Sequence, residues 1–288
     1  AEGTFDATTL SNKIEVSLDF ADKTSNDPGF TYDAAAAAAA VAVLDGVTYD
    51  PATVVEGKLE VDEFLHPSTE TFTLTTGVDA GPEFTGGTTD AVFNAPLGLG
   101  IDGLVGVQTL QGPDVLDGGA GLNILNAELN GTGTTANPTI SNIQQYNLTT
   151  FDLGGNGALD LTRATGYEQL WNRDSRSDLS LINVGEVAIL GLDNVSEGAE
   201  YRVNYDGIAV ETQTVVAMHT GREAESDVTL DITGVDGVIG TLNLVVSDGV
   251  YLALEHDANL VENLIITGDG ELRLSGDDLF PVLETLDT

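Results

Sequence analysis

Val228-Thr-Leu230-Asp-Ile232, Leu242-Asn-Leu244-Val-Val246, Tyr251-Leu-Ala-Leu254, Leu264-Ile-Ile266 and Leu272-Arg-Leu274 follow one another with little but turns between them. The runs carry apolar residues at every second position, the period of a strand with one face buried. Asp206-Gly207, Asp236-Gly237, Asp248-Gly249 and Asp269-Gly270 punctuate them as turns. Leu179-Ser-Leu181 belongs to the same pattern, so residues 145–288 read as a chain of short strands with a loose repeat. Two architectures fit: a right-handed parallel β-helix (β-solenoid) whose rungs stack, or an antiparallel β-sandwich. In a solenoid each rung buries its Leu, Ile and Val against the next. An aromatic content of only 6% and the absence of cysteine favour the solenoid.

Upstream, residues 69–144 are rich in Gly, Asp, Thr and Asn, with strand-like runs such as Thr71-Phe72-Thr73-Leu74-Thr75 between glycine turns. Residues 1–68 read as a small helical part. Asp33 is placed to cap a helix running from Ala34 through Ala40 to Leu44, with Gly46 just beyond it. Asp50-Pro51 starts another, which Pro67 ends near Leu65, and Val54, Val61 and Leu65 give it one apolar face. Ile14 and Leu18 mark an earlier helix.

Charge narrows the partners. The 288 residues hold 9 Lys+Arg against 47 Asp+Glu, a formal net charge of −38. All three lysines, Lys13, Lys23 and Lys58, lie in the helical part. Such a chain repels phosphate backbones, so nucleic acid is a poor partner, and it attracts hard divalent cations that take oxygen ligands. A mean hydropathy of +0.05 separates it from disordered acidic tails. No apolar run is long enough to span a bilayer, so membrane insertion is not expected, and no signal peptide is visible at Ala1-Glu2-Gly3-Thr4. The strand-like pattern still running at Thr288 suggests a piece of something longer.

The sharpest motif is Asp114-Val115-Leu116-Asp117-Gly118-Gly119-Ala120-Gly121-Leu122-Asn123-Ile124-Leu125. From Gly118 it follows the calcium-binding nonapeptide G-G-x-G-x-D-x-U-x, with Asn123 in the aspartate place and Leu125 as the inward apolar residue. Glycines permit the backbone angles that point carbonyls at an ion, and a side-chain oxygen completes the shell. Asp114, Asp117, Gly119, Gly121 and Asn123 are therefore the candidate Ca²⁺ ligands, with Asp79 and Asp90 a second set beside the turns at Gly77, Gly81 and Gly86-Gly87. The alternative is a glycine-rich turn with no ion. The stretch from Asp152 through Gly154-Gly155-Asn156-Gly157 to Asp160 is a weaker candidate that an ordinary Asx turn explains.

Several of these stretches together resemble the RTX-type, calcium-dependent surface-layer (S-layer) and giant secreted surface proteins of Gram-negative bacteria. They are Phe72 to Asp79, Phe84 to Ala95, Leu116 to Gly121, Leu260 through Leu274 to Gly276, and Leu283 to Thr288. The resemblance spans roughly residues 70–288. It implies type I secretion through a signal beyond this chain, folding with calcium outside the cell, and self-assembly into a lattice or matrix at the bacterial cell surface. The chain departs from the family in having one good nonapeptide, with Asn for Asp.

Enzyme signatures are missing. His66, His219 and His256 share no metal-ligand spacing, and there is no G-x-S-x-G elbow, P-loop or dinucleotide fingerprint. The enzyme alternative is a β-helix polysaccharide lyase, which needs a cation near the abstracted proton, and lysine is absent after Lys58. Arg163, Arg173 and Arg176 around Trp171 are the one basic cluster, readable as a subunit interface, as charge neutralisation, or as a platform for a cell-surface polysaccharide in an adhesin or carbohydrate-binding module. The expectation is a structural protein and not an enzyme.

Overall fold

The computed structural model describes residues 7–26, 34–50, 53–55, 57–58, 61, 69–99, 105–130, 135–151, 155–221, 227–256, 261–275 and 285–287. Two compact units emerge, Ala1–Ser68 and Thr69–Thr288.

In the first unit, helices Ala7–Asn26 and Ala34–Gly46 form where expected. Val16, Phe20, Val43, Val47, Val54 and Val61 make their core. The buried stripe of the first helix is thus Val16 and Phe20, while Ile14 and Leu18 face solvent. Lys13 Nζ donates to the Leu44 carbonyl at 2.6 Å, closing the end of the second helix. Asp33, Pro51, Leu65 and Pro67 lie outside the described residues. None of the described helices is long and apolar enough to cross a membrane.

The second unit is a parallel β-solenoid of about eight turns. Its strands fall on three faces. The first holds Glu70–Thr73, Ala91–Ala95, Ile124–Leu129, Gln145–Thr150, Gln169–Arg173, Ile189–Asp193, Val210–Thr220, Ile239–His256, Val261–Gly268 and Thr285–Asp287, each paired in parallel with the next. The second holds Gly157–Asp160, Leu179–Val184, Glu200–Tyr205 and Val228–Thr233, then the far end of Ile239–His256, then Leu272–Ser275. The third is short: Val115–Asp117 beside Thr139–Ser141, extended by single bridges from Thr85 to Asp117 and from Ile140 to Ala164. The pairing of Ile124 with Gln145 makes residues 69–144 and 145–288 parts of one stack. Parallel register excludes the sandwich, and strand twist favours right-handed crossovers between parallel strands. The described antiparallel pairing is the small hairpin Gly98–Leu99 with Val105–Val107, inserted between two rungs.

Columns of apolar side chains fill the interior. Phe93, Leu125, Tyr146, Leu170, Leu190, Val215 and Leu244 stack from rung to rung on the first face, all buried. Leu179, Tyr201, Leu230 and Leu254 do so on the second. Corners need left-handed backbone, and non-glycine residues supply much of it: Asn142, Asp174, Asn183, Asn194, His219 and Asp248 have φ between 50 and 59°. Asn and Asp tolerate this region because their short side chains bond locally. Asp206-Gly207 and Asp236-Gly237 are turns as expected, with Gly207 at φ 64° and Gly237 at φ 91°. Asp248-Gly249 differs: it is a bend inside the continuous run Ile239–His256, so one strand serves two faces.

Candidate functional site

The turn 118–123 joins the third face to the first. Gly119 and Gly121 have φ of 71° and 86°. A Cβ on Gly118 would lie 2.0 Å from the Asn142 carbonyl oxygen of the next rung, and one on Gly119 would lie 2.4 Å from the Gly86 carbonyl oxygen of the previous rung. Close rung approach therefore demands these glycines. Leu125 points into the core as its motif position requires, and Leu122 is 71% exposed.

Asn123, 1% exposed, is the hub of the turn. Its Oδ1 accepts the Ala91 N–H at 2.8 Å. Its Nδ2 donates to the Asn142 carbonyl at 2.7 Å, with longer contacts to the carbonyls of Ala120 at 3.2 Å and Gly121 at 3.5 Å. Its own N–H donates to Gln144 Oε1 at 2.8 Å.

The acids around the turn are likewise engaged by N–H and O–H donors. Asp117 Oδ1 accepts from Asn142 Nδ2 at 2.8 Å and from the Gly119 N–H at 3.0 Å. These bonds, that of Asn142 foremost, hold its carboxyl below the ordinary value. Asp114, fully buried, accepts the Asp79 N–H at 3.0 Å on Oδ1 and the Gln111 N–H at 2.7 Å on Oδ2. Burial outweighs those bonds and raises its pKa. Asp79, 2% exposed, accepts the Thr75 N–H at 2.7 Å and the Thr75 hydroxyl at 2.8 Å. Asp90 accepts the Leu122 N–H at 2.8 Å. Asp160 accepts from the Thr162 N–H and hydroxyl and from Asn183 Nδ2. Burial is the largest single influence on Asp160 and pushes its pKa up, but the hydrogen bonds together hold it below the ordinary value. Asp152 and Gly154 lie outside the described residues.

This donor set does not fit a calcium shell. Calcium needs six to eight oxygens facing one point. Here Asn123 aims an amide nitrogen, not an oxygen, at the converging carbonyls, and the Asp79 and Asp114 oxygens receive N–H and O–H groups. Among the described residues, no three His, Asp or Glu side chains group closely enough to hold an ion.

The basic cluster divides. Arg163 reaches across the third face to the carbonyls of Gly112 and Asn137. Arg173 lies 4.3 Å above the Trp171 ring and 4.0 Å from Asp193. Arg176 is exposed at a corner, where its N–H donates to the Thr150 carbonyl. Trp171 is only 8% exposed, its Nε1 donates to Gln169 at 2.9 Å, and its ring packs over Gly191 of the next rung. A sugar would not reach that ring face without displacing Arg173.

An amide ladder beside Trp171 is absent from the sequence reading. Asn126 Nδ2 donates to Asn94 Oδ1 at 3.0 Å, and Asn147 Nδ2 to Asn126 Oδ1 at 2.8 Å. These residues, with Glu128, Thr149, Arg173 and Asp174, line an open groove of about 330 Å³. The only signal that could have found it is the rung spacing that aligns Asn94, Asn126 and Asn147. In comparison with known proteins, the chain matches no family model, no curated protein and no solved structure.

Proposed function

We propose that this chain is a structural, self-assembling β-solenoid segment of an extracellular surface layer or matrix on a bacterial cell, with no catalytic role. The carrying observation is where its polar side chains go. Asn94–Asn126–Asn147, Asp117–Asn142, Asp160–Asn183 and Asp174–Asn194 each bridge successive rungs, tying the solenoid along its axis. Such bridges resist shear between rungs, which is what a repeat-built rod requires.

The charge of −38 supports the same reading. Copies repel until counterions neutralise them, so Ca²⁺ acts as the assembly counterion, spread over exposed carboxylates instead of seated in the 118–123 turn. Export by type I secretion is part of the proposal, on the strength of the family resemblance. Light scattering and negative-stain electron microscopy, in CaCl₂ and in NaCl of equal ionic strength, test it. Ordered assemblies specific to calcium support it, and an unchanging monomer refutes it.

One observation favours a second reading, a glycan-binding adhesin: the groove over the amide ladder offers donors and acceptors in a row. Glycan-array binding that is lost on Asn126→Ala, with no calcium-driven assembly, would select that reading.

A further inference from the structure

The carbonyl oxygens of Ala120, Gly121 and Asn142 converge on one small region inside the 118–123 turn. Three partial negative charges facing each other repel unless something positive stands between them. A metal ion can do so, and so can an N–H₂ group, whose hydrogens carry partial positive charge. Asn123 Nδ2 stands there, and Asn123 Oδ1 is already taken by the Ala91 N–H.

We propose that this turn is closed by the Asn123 amide in place of a metal ion, and that Asn123→Asp converts it into a divalent-cation site. The wild-type side chain is neutral, donates where the carbonyls converge, and accepts where the neighbouring rung presents an N–H. Every polar atom of its amide has a partner inside the protein, so the turn forms at any calcium concentration. An aspartate of the same shape reverses one half of this arrangement. It sets an anionic oxygen against the three carbonyls, where only a cation relieves the repulsion. The resulting donors, three carbonyls and a carboxylate, are hard oxygens suited to Ca²⁺. Asp90 adds negative charge at the rim, since its Oδ1 lies 2.7 Å from where a Gly121 Cβ would stand.

The inference is independent of the assembly proposal: it concerns one turn, read locally, and assembly could fail while it holds. Hydrogen exchange of residues 118–125 is measured on the full chain in chelator, in CaCl₂ and in NaCl of matched ionic strength. Protection is read relative to distant rungs such as residues 239–246, which removes any change shared by the whole solenoid on screening or assembly. So read, wild-type protection of 118–125 is expected to be equal in all three. Asn123→Asp should exchange roughly tenfold faster in chelator, the equivalent of one lost buried hydrogen bond, and regain protection in CaCl₂ alone. Asn123→Ala should lose protection in every buffer. Two results would overturn the proposal: wild-type protection of 118–125 that falls on chelation more than that of the distant rungs, or an Asn123→Asp protein whose 118–125 segment responds no more to CaCl₂ than to NaCl. If Asn123→Asp unfolds in chelator, refolding in CaCl₂ supports the proposal and failure to refold counts against it.

Discussion

Asn172 is the residue whose environment is least resolved by its neighbours. It points into the core between Leu148 and Leu192, is fully buried, and neither atom of its amide has a hydrogen-bond partner. An unpaired buried amide costs about 1–3 kcal/mol. Asn172→Leu is therefore expected to raise the thermal midpoint, and a lowered midpoint would show that the amide has a role in the core. Gly191 is the opposite case. A Cβ there would lie 2.1 Å from Trp171 ring carbons, so Gly191→Ala forces the indole outward. About 1–3 kcal/mol of stability should be lost, with a red shift of tryptophan fluorescence. Acid stability depends on opposing carboxyls. Asp117 and Asp160 sit below the ordinary carboxyl value of 3.8, so their contribution is complete above it and is lost as pH falls through their lower folded-state values. Asp114 is shifted upward, so its contribution is complete below 3.8 and is lost as pH rises through its higher folded-state value. Denaturant melts across acidic pH should show a shallower loss of stability for Asp117→Asn and a steeper one for Asp114→Asn.

At the scale of the element, rung-to-rung contact is the source of order. Removing the middle of the amide ladder with Asn126→Ala breaks one bond to Asn94 and one to Asn147. A loss of about 1–3 kcal/mol is expected, measurable by denaturant unfolding and larger than that of an exposed control such as Thr165→Ala. Period-two runs such as Leu242-Asn-Leu244 announced strands, and scarce aromatics pointed towards a solenoid, because alternation is a local property of strands. Corners were harder to read. Asn142, Asn183, Asn194 and His219 take the left-handed backbone that the sequence pattern assigned to Asp-Gly pairs. The candidate site was legible as a turn but not in its chemistry. Gly118, Gly119 and Gly121 announced close approach, but the direction of the Asn123 amide depends on carbonyls and an N–H brought from Asn142 and Ala91, which only the rung register supplies. Trp171 failed to be an exposed platform for the same reason: Gly191, one rung away, gives its ring a place to lie.

For the whole molecule, the dominant quantity is the charge of −38. Self-repulsion of that size makes both stability and association depend on counterions. The Debye length shortens from about 30 Å at 0.01 M salt to about 8 Å at 0.15 M, so NaCl alone should raise the unfolding midpoint over this range. Calcium should do more than screen: it should bring copies together. The most direct measurement is sedimentation velocity with circular dichroism on one sample, in chelator, in NaCl and in CaCl₂ of equal ionic strength. A β-rich spectrum in all three, with large ordered species in CaCl₂ alone, is the predicted result. A folded monomer in every buffer would contradict the proposed structural, self-assembling role.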